Sequence, residues 1–186
     1  MARLVLMGSP TFALPTFEAL AEEHEIVGVF TQPDKPAGRG LRPTPPPVKV
    51  WAQERGLPVF QPRSLRRDPE AVAQLRALRP EVIVVVAYGL ILPPEVLALP
   101  PYGCLNLHAS LLPRYRGPAP IQAALLHGDS ETGVTVMLMT EEVDAGPILA
   151  MEREPIYPED TAETLGERLA RRGARLMRET LRRWLA

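Results

Sequence analysis

The sequence predicts a single α/β domain, a Rossmann-like and mostly parallel sheet flanked by helices. Three observations support that expectation. Apolar runs of strand length alternate with segments of helical spacing along the chain. Hydrophobic residue types make up 46% of the 186 residues, enough for one sizeable core. Charged residues make up 23%, with a net charge of -1, as in a folded chain rather than a disordered one.

Residues 2–7 (ARLVLM) run into Gly8 and read as a buried first strand. Ser9 and Pro10 then offer a helix N-cap and a proline at the first helical position, followed by Leu14, Phe17, Leu20 and Ala21 at helical spacing. Residues 26–31 (IVGVFT) form the next strand. Residues 32–47 break the alternation with Gly38, Gly40, six prolines and the cations Lys35, Arg39 and Arg42, Lys49 lying just beyond. Such a composition reads as an exposed loop.

A helix is expected over 46–55, a short strand at 59–60 and a helix over 69–78. Residues 82–87 (VIVVVA) carry the strongest strand signal of the chain. Strands at 103–108 and 133–139 enclose a helix over 118–127, and a further extended run covers 148–156. Asp160 with Glu163 three residues later reads as a capping box. It opens a last helix whose Leu165, Leu169, Leu176, Leu181 and Trp184 share one face. In such a sheet, ligands are expected beyond the carboxyl ends of the strands.

Composition narrows the function classes. No basic excess announces a nucleic-acid partner, although Lys35 and Lys49 are the only lysines among the cations and the rest are arginine. Cys104 stands alone, so no disulfide framework is expected and a reducing compartment fits. The opening MARLVLMG is too short an apolar run for a signal peptide, and no segment approaches a membrane span. A soluble, cytoplasmic, monomeric protein is the expectation. The 22 prolines limit the entropy of the unfolded chain.

The first strand–helix turn, Gly8-Ser9-Pro10-Thr11, is not G-x-G-x-x-G, and Pro10 lacks an N–H for a pyrophosphate. A nicotinamide or flavin cofactor is therefore not expected, and no Walker motif is present. His24, His108, His127 and Cys104 have no zinc-like spacing, so no metal is expected. Ser110 lies near His108, but no G-x-S-x-G elbow surrounds it.

Polar chemistry is densest over 104–120. Asn106 and His108 are two apart on one strand and therefore project to the same face, while Leu105 and Leu107 project to the other. That pattern suits either a catalytic pair at a strand end or a core histidine satisfied by hydrogen bonds. Asp144, in the Gly/Pro-bounded loop after strand 133–139, is by itself compatible with a plain turn residue.

Several segments together resemble the folate-dependent formyltransferases. These are Leu107–Pro120 (LHASLLPRYRGPAP) with Ile121-Gln122, Thr132-Gly133-Val134-Thr135, and Asp144-Ala145-Gly146. Gly8-Ser9-Pro10-Thr11-Phe12-Ala13, Thr31–Gly40 (TQPDKPAGRG) and Val84–Pro93 (VVVAYGLILP) extend the resemblance to the methionyl-tRNA formyltransferases in particular. The matches cover nearly the whole chain in order. The resemblance implies that Asn106, His108 and Asp144 are catalytic and that the donor is 10-formyltetrahydrofolate. It implies a folate pocket formed by Ala87, Tyr88, Gly89, Leu90, Ile91 and Leu92, with further contacts from Ser110, Leu111, Leu112 and Pro113. It also marks the Leu112–Pro113 bond as a candidate for the cis form.

The acceptor it implies is initiator methionyl-tRNA, entered at its acceptor stem by the loop bearing Lys35, Arg39 and Arg42. Relatives commonly continue into a smaller β-barrel domain that adds tRNA affinity. This chain is expected to be the catalytic domain, residues 1–186, without that barrel. Glu142 departs from the family pattern, which has glycine there. Formylation of a glycinamide nucleotide or a sugar nucleotide, or a folate- or tRNA-binding piece with little turnover, are the competing readings.

Overall fold

The computed structural model describes all of Met1–Ala186. In chain order the strands are β1 (Arg3–Gly8), β2 (Glu25–Phe30), β3 (Lys35–Ala37), β4 (Arg42–Thr44), β5 (Val59–Phe60), β6 (Val82–Val86), β7 (Cys104–His108), β8 (Glu131–Leu138) and β9 (Ile148–Pro155). The helices are α1 (Leu14–Glu23), α2 (Pro47–Glu54), α3 (Pro69–Ala77), α4 (Pro94–Leu97), α5 (Pro120–Leu126) and α6 (Ala162–Leu185). Seven strands form one sheet in the order β5-β2-β1-β6-β7-β8-β9, and β3 and β4 form a separate hairpin. The run from β5 to β7 is parallel, while β8 and β9 are antiparallel to their neighbours. The expected α/β architecture is therefore present, and no helix is long and apolar enough to cross a membrane.

The sheet is covered on both faces, which is why its central strands read as unbroken apolar runs. The period of two sorts their residues cleanly. Leu4, Leu6, Val82, Val84, Val86, Leu105 and Leu107 pack with Phe17 and Leu20 of α1 and Leu165, Leu169 and Leu181 of α6. Val5, Met7, Ile83, Val85 and Cys104 face the other way, against Ala71, Val72 and Leu75 of α3 and the ring of Tyr88. Burial of each such Leu or Val contributes roughly 1.5–3 kcal/mol. At Gly173 the helix α6 approaches so closely that an added Cβ would collide with the Leu107 side chain.

Three local expectations are corrected. Ser9 does not cap α1: Thr11–Ala13 form a short 3₁₀ turn and α1 begins at Leu14 without a side-chain cap. The Ser9 hydroxyl instead donates to Tyr88 O (3.2 Å) and accepts from Gln32 N (3.2 Å). The capping box of α6 is Thr161 with Thr164, one residue beyond the expected pair. Asp160 is otherwise engaged, accepting from Arg168 Nη1 and Nη2 (2.8 and 2.6 Å) and from Tyr157 N (2.8 Å). Finally, residues 32–47 are not all loop. Lys35–Ala37 pairs with Arg42–Thr44, with Pro36 opposite Pro43, a pairing open to two prolines only where neither backbone N–H is required by the ladder. The helix α4 lies in a stretch for which the sequence suggested no element.

Candidate active site

A cleft of about 470 Å³ opens beyond the carboxyl ends of β1, β6 and β7, where a parallel sheet is expected to bind ligands. β6 ends at Val86, and the chain turns at once through two left-handed residues, Ala87 (φ 50°) and Gly89 (φ 85°). This turn brings Ala87, Tyr88, Gly89, Leu90, Ile91 and Leu92 to the cleft wall. A Cβ at Gly89 would collide with the Gln32 amide. Gln32 Nε2 donates to Tyr88 O (2.9 Å), so Gln32 and Ser9 together hold the turn. The Tyr88 ring itself goes into the second core, where burial pushes its phenol up and its Oη finds no partner.

β7 supplies the opposite side, and it brings Asn106 and His108 to the cleft together. Asn106 lies opposite Val85 in the parallel ladder and its Nδ2 donates to Val85 O (3.1 Å). Since a carbonyl only accepts, this bond fixes the amide's orientation. It leaves the second Nδ2 hydrogen unspent and Oδ1 buried without a partner. The His108 ring is almost fully enclosed, its side chain 8% exposed. Nε2 lies 2.9 Å from Tyr115 O and so must carry a hydrogen. Nδ1 lies 3.6 Å from Asp144 Oδ2, an ion-pair separation once the ring is charged.

Asp144 reaches this position from the loop after β8, with its backbone in the left-handed region (φ 52°). A non-glycine residue there costs on the order of 1 kcal/mol and is tolerated best by Asp and Asn. Its Oδ2 accepts from Gly117 N (2.7 Å), and Arg116 Nε donates to its backbone O (3.3 Å). Arg116 also pairs with Glu142 (3.3 Å), whose side chain is largely exposed at the rim of the cleft. The segment 115–117 thus buttresses both members of the pair. Sequence reasoning missed this, because two of the three groups that do it are backbone N–H and C=O groups with no side-chain signature.

Ser110, Leu111, Leu112 and Pro113 do not line the cleft. Thr135 Oγ1 donates to Ser110 O (2.7 Å) and accepts from Leu112 N (3.2 Å), while Ser110 Oγ donates to Arg114 O (2.6 Å). Ser110 and Leu112 are buried, and the Leu112–Pro113 bond is cis, as the resemblance suggested. The cleft is completed by residues that the sequence reading did not select, among them Pro10, Phe12, Ile121, Met137 and Met139.

The cations Lys35, Arg39 and Arg42 all sit on the exposed hairpin and have no carboxylate partner. The base of the hairpin is fixed. Asp34 accepts from Gln61 Nε2 (2.7 Å) and from Lys49 Nζ (3.0 and 3.1 Å), contacts that lower its carboxyl below the usual range. Gln32, two residues earlier, holds Tyr88 O, so hairpin and cleft share one hydrogen-bonded foundation.

The profile of the formyl transferase family matches residues 2–181. The chain belongs to the formyl transferase family. Among its curated relatives, the methionyl-tRNA formyltransferase of Synechococcus sp. (strain JA-3-3Ab) is 55% identical over 182 residues. That match takes in 96% of this chain and 56% of the relative. The methionyl-tRNA formyltransferase of Xanthomonas campestris pv. campestris (strain 8004) is 55% identical over 179 residues, 96% of this chain and 58% of its own length. The chain therefore spans less than two thirds of these relatives. Among solved structures, phosphoribosylglycinamide formyltransferase from Bacillus halodurans superposes with a TM-score of 0.81 at 26% identity, covering 99% of this chain and 95% of that one. In this chain the three polar residues singled out from sequence, Asn106, His108 and Asp144, meet at one cleft. The cleft volume lies within the roughly 300–1,000 Å³ of small-molecule sites.

Proposed function

We propose that this chain transfers the formyl group of 10-formyltetrahydrofolate to the α-amino group of initiator methionyl-tRNA. The observation that carries the chemistry is the enclosed Asn106–His108–Asp144 group at the wall of a cleft otherwise lined largely by apolar residues and the 87–92 turn. A flat apolar ring with amide-like edges fits such a cleft, its donors and acceptors meeting backbone groups of the turn. The acceptor rests on the 55% identity to relatives named for methionyl-tRNA and on the hairpin cations beside the cleft.

The protein groups divide the reaction as follows. Asn106, with one amide hydrogen held by Val85 O, offers the other to the formyl oxygen as negative charge grows there. Loss of such a donor typically costs ~10²–10³ in rate. His108, held between Tyr115 O and Asp144, would in its protonated form place positive charge near the same oxygen. Asp144 Oδ2 is taken by Gly117 N, which leaves Oδ1 to accept a proton from the attacking amine, directly or through one water. A C–N bond forms to the amine, the bond to the folate nitrogen breaks, and Asp144 returns the proton to that nitrogen. General acid–base assistance of this kind is worth roughly 10²–10⁴.

A glycinamide nucleotide acceptor is the second reading, favoured by the 26%-identical phosphoribosylglycinamide formyltransferase fold. The first strand–helix turn argues against it, since Pro10 has no N–H and the Ser9 hydroxyl is already engaged, leaving fewer donors for a phosphate. The test is transfer of labelled formyl from 10-formyltetrahydrofolate with methionyl-tRNA, a glycinamide nucleotide and an amino-sugar nucleotide offered in parallel. Label on methionyl-tRNA is expected. Label confined to a nucleotide acceptor would overturn the tRNA half of the proposal.

A further inference from the structure

We infer that Arg63, Arg66 and Arg67 form a second RNA-phosphate surface, continuous with the hairpin and serving the same acceptor; the inference rests on the tRNA reading above. The loop that carries them leaves β5 at the same end of the sheet as the hairpin leaves β2, and the two strands are parallel neighbours (Val29 opposite Val59, Phe30 opposite Phe60). Adjacent strands lie about 4.8 Å apart, so the two loops start side by side. Gln61, the first residue after β5, ties them together: its Nε2 donates to Gln32 O (3.1 Å) and to Asp34 Oδ1 (2.7 Å) at the foot of the hairpin.

The loop presents its arginines by construction. Leu65 is 1% exposed and anchors the loop in the second core. Ser64 Oγ accepts from Arg67 N (3.1 Å) and closes the turn around it. With Leu65 turned inward, Arg63, Arg66 and Arg67 are exposed. The next carboxylate, Asp68, is spent on capping α3 through Ala71 N (3.0 Å). None of the three guanidinium groups meets a carboxylate, although Arg3, Arg55, Arg116, Arg153, Arg168, Arg172, Arg178 and Arg182 each do. Three unpaired arginines within five residues, beside three more unpaired cations on the hairpin, make a local positive field on a chain of net charge -1. The planar guanidinium of an arginine at an exposed turn suits the two non-bridging oxygens of a phosphodiester. Arg171, Arg175 and Arg183 are also unpaired, but they lie on α6, which packs on α1, β8 and β9, and they provide the control.

The test measures binding of labelled initiator tRNA to the 186-residue chain between low and moderate salt. Four proteins are compared: wild type, the hairpin variant (Lys35→Gln, Arg39→Gln, Arg42→Gln), the loop variant (Arg63→Gln, Arg66→Gln, Arg67→Gln), and the helix variant (Arg171→Gln, Arg175→Gln, Arg183→Gln). Thermal melts confirm that each variant folds. The loop variant is expected to lose affinity roughly tenfold or more near 0.1 M salt. Its log–log salt slope should fall by about 2, at roughly 0.7–0.9 per phosphate contact. The helix variant should match wild type. Loss in the hairpin variant with none in the loop variant would overturn this inference and leave the tRNA reading standing. No binding by wild type would overturn both. The same four proteins are also tested on phosphatidylserine-containing vesicles, where loss of adhesion by the loop variant with tRNA affinity intact would reassign the surface and also overturn the inference.

Discussion

The wall of the cleft and the β3–β4 hairpin both present polar side chains and are built in opposite ways. Asn106 and His108 stand on a central strand whose alternate residues, Leu105 and Leu107, are buried in the core, and Asp144 is fastened by Gly117 N and Arg116. The hairpin has no core of its own. Every residue from Lys35 to Thr44 is exposed, and its order comes from the Asp34–Lys49–Gln61 cluster at its foot. On the proposed function, the groups that hold reacting atoms within a fraction of an ångström sit on the sheet or are fastened to it through backbone hydrogen bonds. On the same proposal, the groups that meet a large polyanion sit on exposed chain, where charge rather than exact geometry sets affinity. Damage to the two regions should therefore separate in kinetics.

The largest effects belong to the cleft. His108→Ala and Asp144→Asn are expected to lower kcat by roughly 10²–10⁴, with little change in tRNA affinity by direct binding. A variant that lost tRNA binding to the same degree would show that the two regions are not separable. Next comes the hairpin, where neutralising Lys35, Arg39 and Arg42 together should raise KM for tRNA about tenfold or more at low salt and flatten its salt dependence. Donor KM should stay within about twofold if the shared foundation at Gln32 and Tyr88 O is undisturbed.

A stability measurement sharpens the contrast at the far edge of the molecule. Arg168, with the Tyr157 N–H, holds the Asp160 carboxyl well below the usual carboxylate range. Because its folded value is depressed, its stabilisation is complete above the unfolded value of about 4 and is lost as pH falls below it. The Tm difference between wild type and Asp160→Asn should thus be greatest near neutrality and shrink on acidification, while formyl transfer at pH 7 and permissive temperature is unchanged. The smallest effect is expected from Glu142→Gly. The Arg116–Glu142 pair is exposed, and such pairs contribute about 0–1 kcal/mol, so kcat should change by less than about fivefold. A larger loss would mean that Asp144 depends on this outer clamp rather than on Gly117 N.

The layers of this fold could be read from the sequence because its central strands are buried on both faces and its helices carry single apolar stripes. Cases such as Val82–Val86 and the Leu165–Leu181 face left little ambiguity. What failed was local hydrogen bonding with more than one candidate. Ser9 and Asp160 both look like caps, but tertiary partners, Tyr88 O and Arg168, claim them. The hairpin was hidden because proline usually excludes a strand, and only the pairing of Pro36 with Pro43 makes it admissible. At the site, the Asn106/His108 spacing placed both side chains on one face, and the structure has them at one cleft, whereas the backbone groups of Tyr115 and Gly117 that orient them had no signature to read.

The measurement that tests the division most directly is steady-state formyl transfer to methionyl-tRNA at two salt concentrations by wild type, Asp144→Asn and the hairpin variant. The expected result is a fall in kcat for Asp144→Asn that salt does not alter. The hairpin variant should instead show a rise in tRNA KM that converges with wild type as salt increases. A salt-independent loss of kcat in the hairpin variant, or an unchanged rate in Asp144→Asn, would contradict the account.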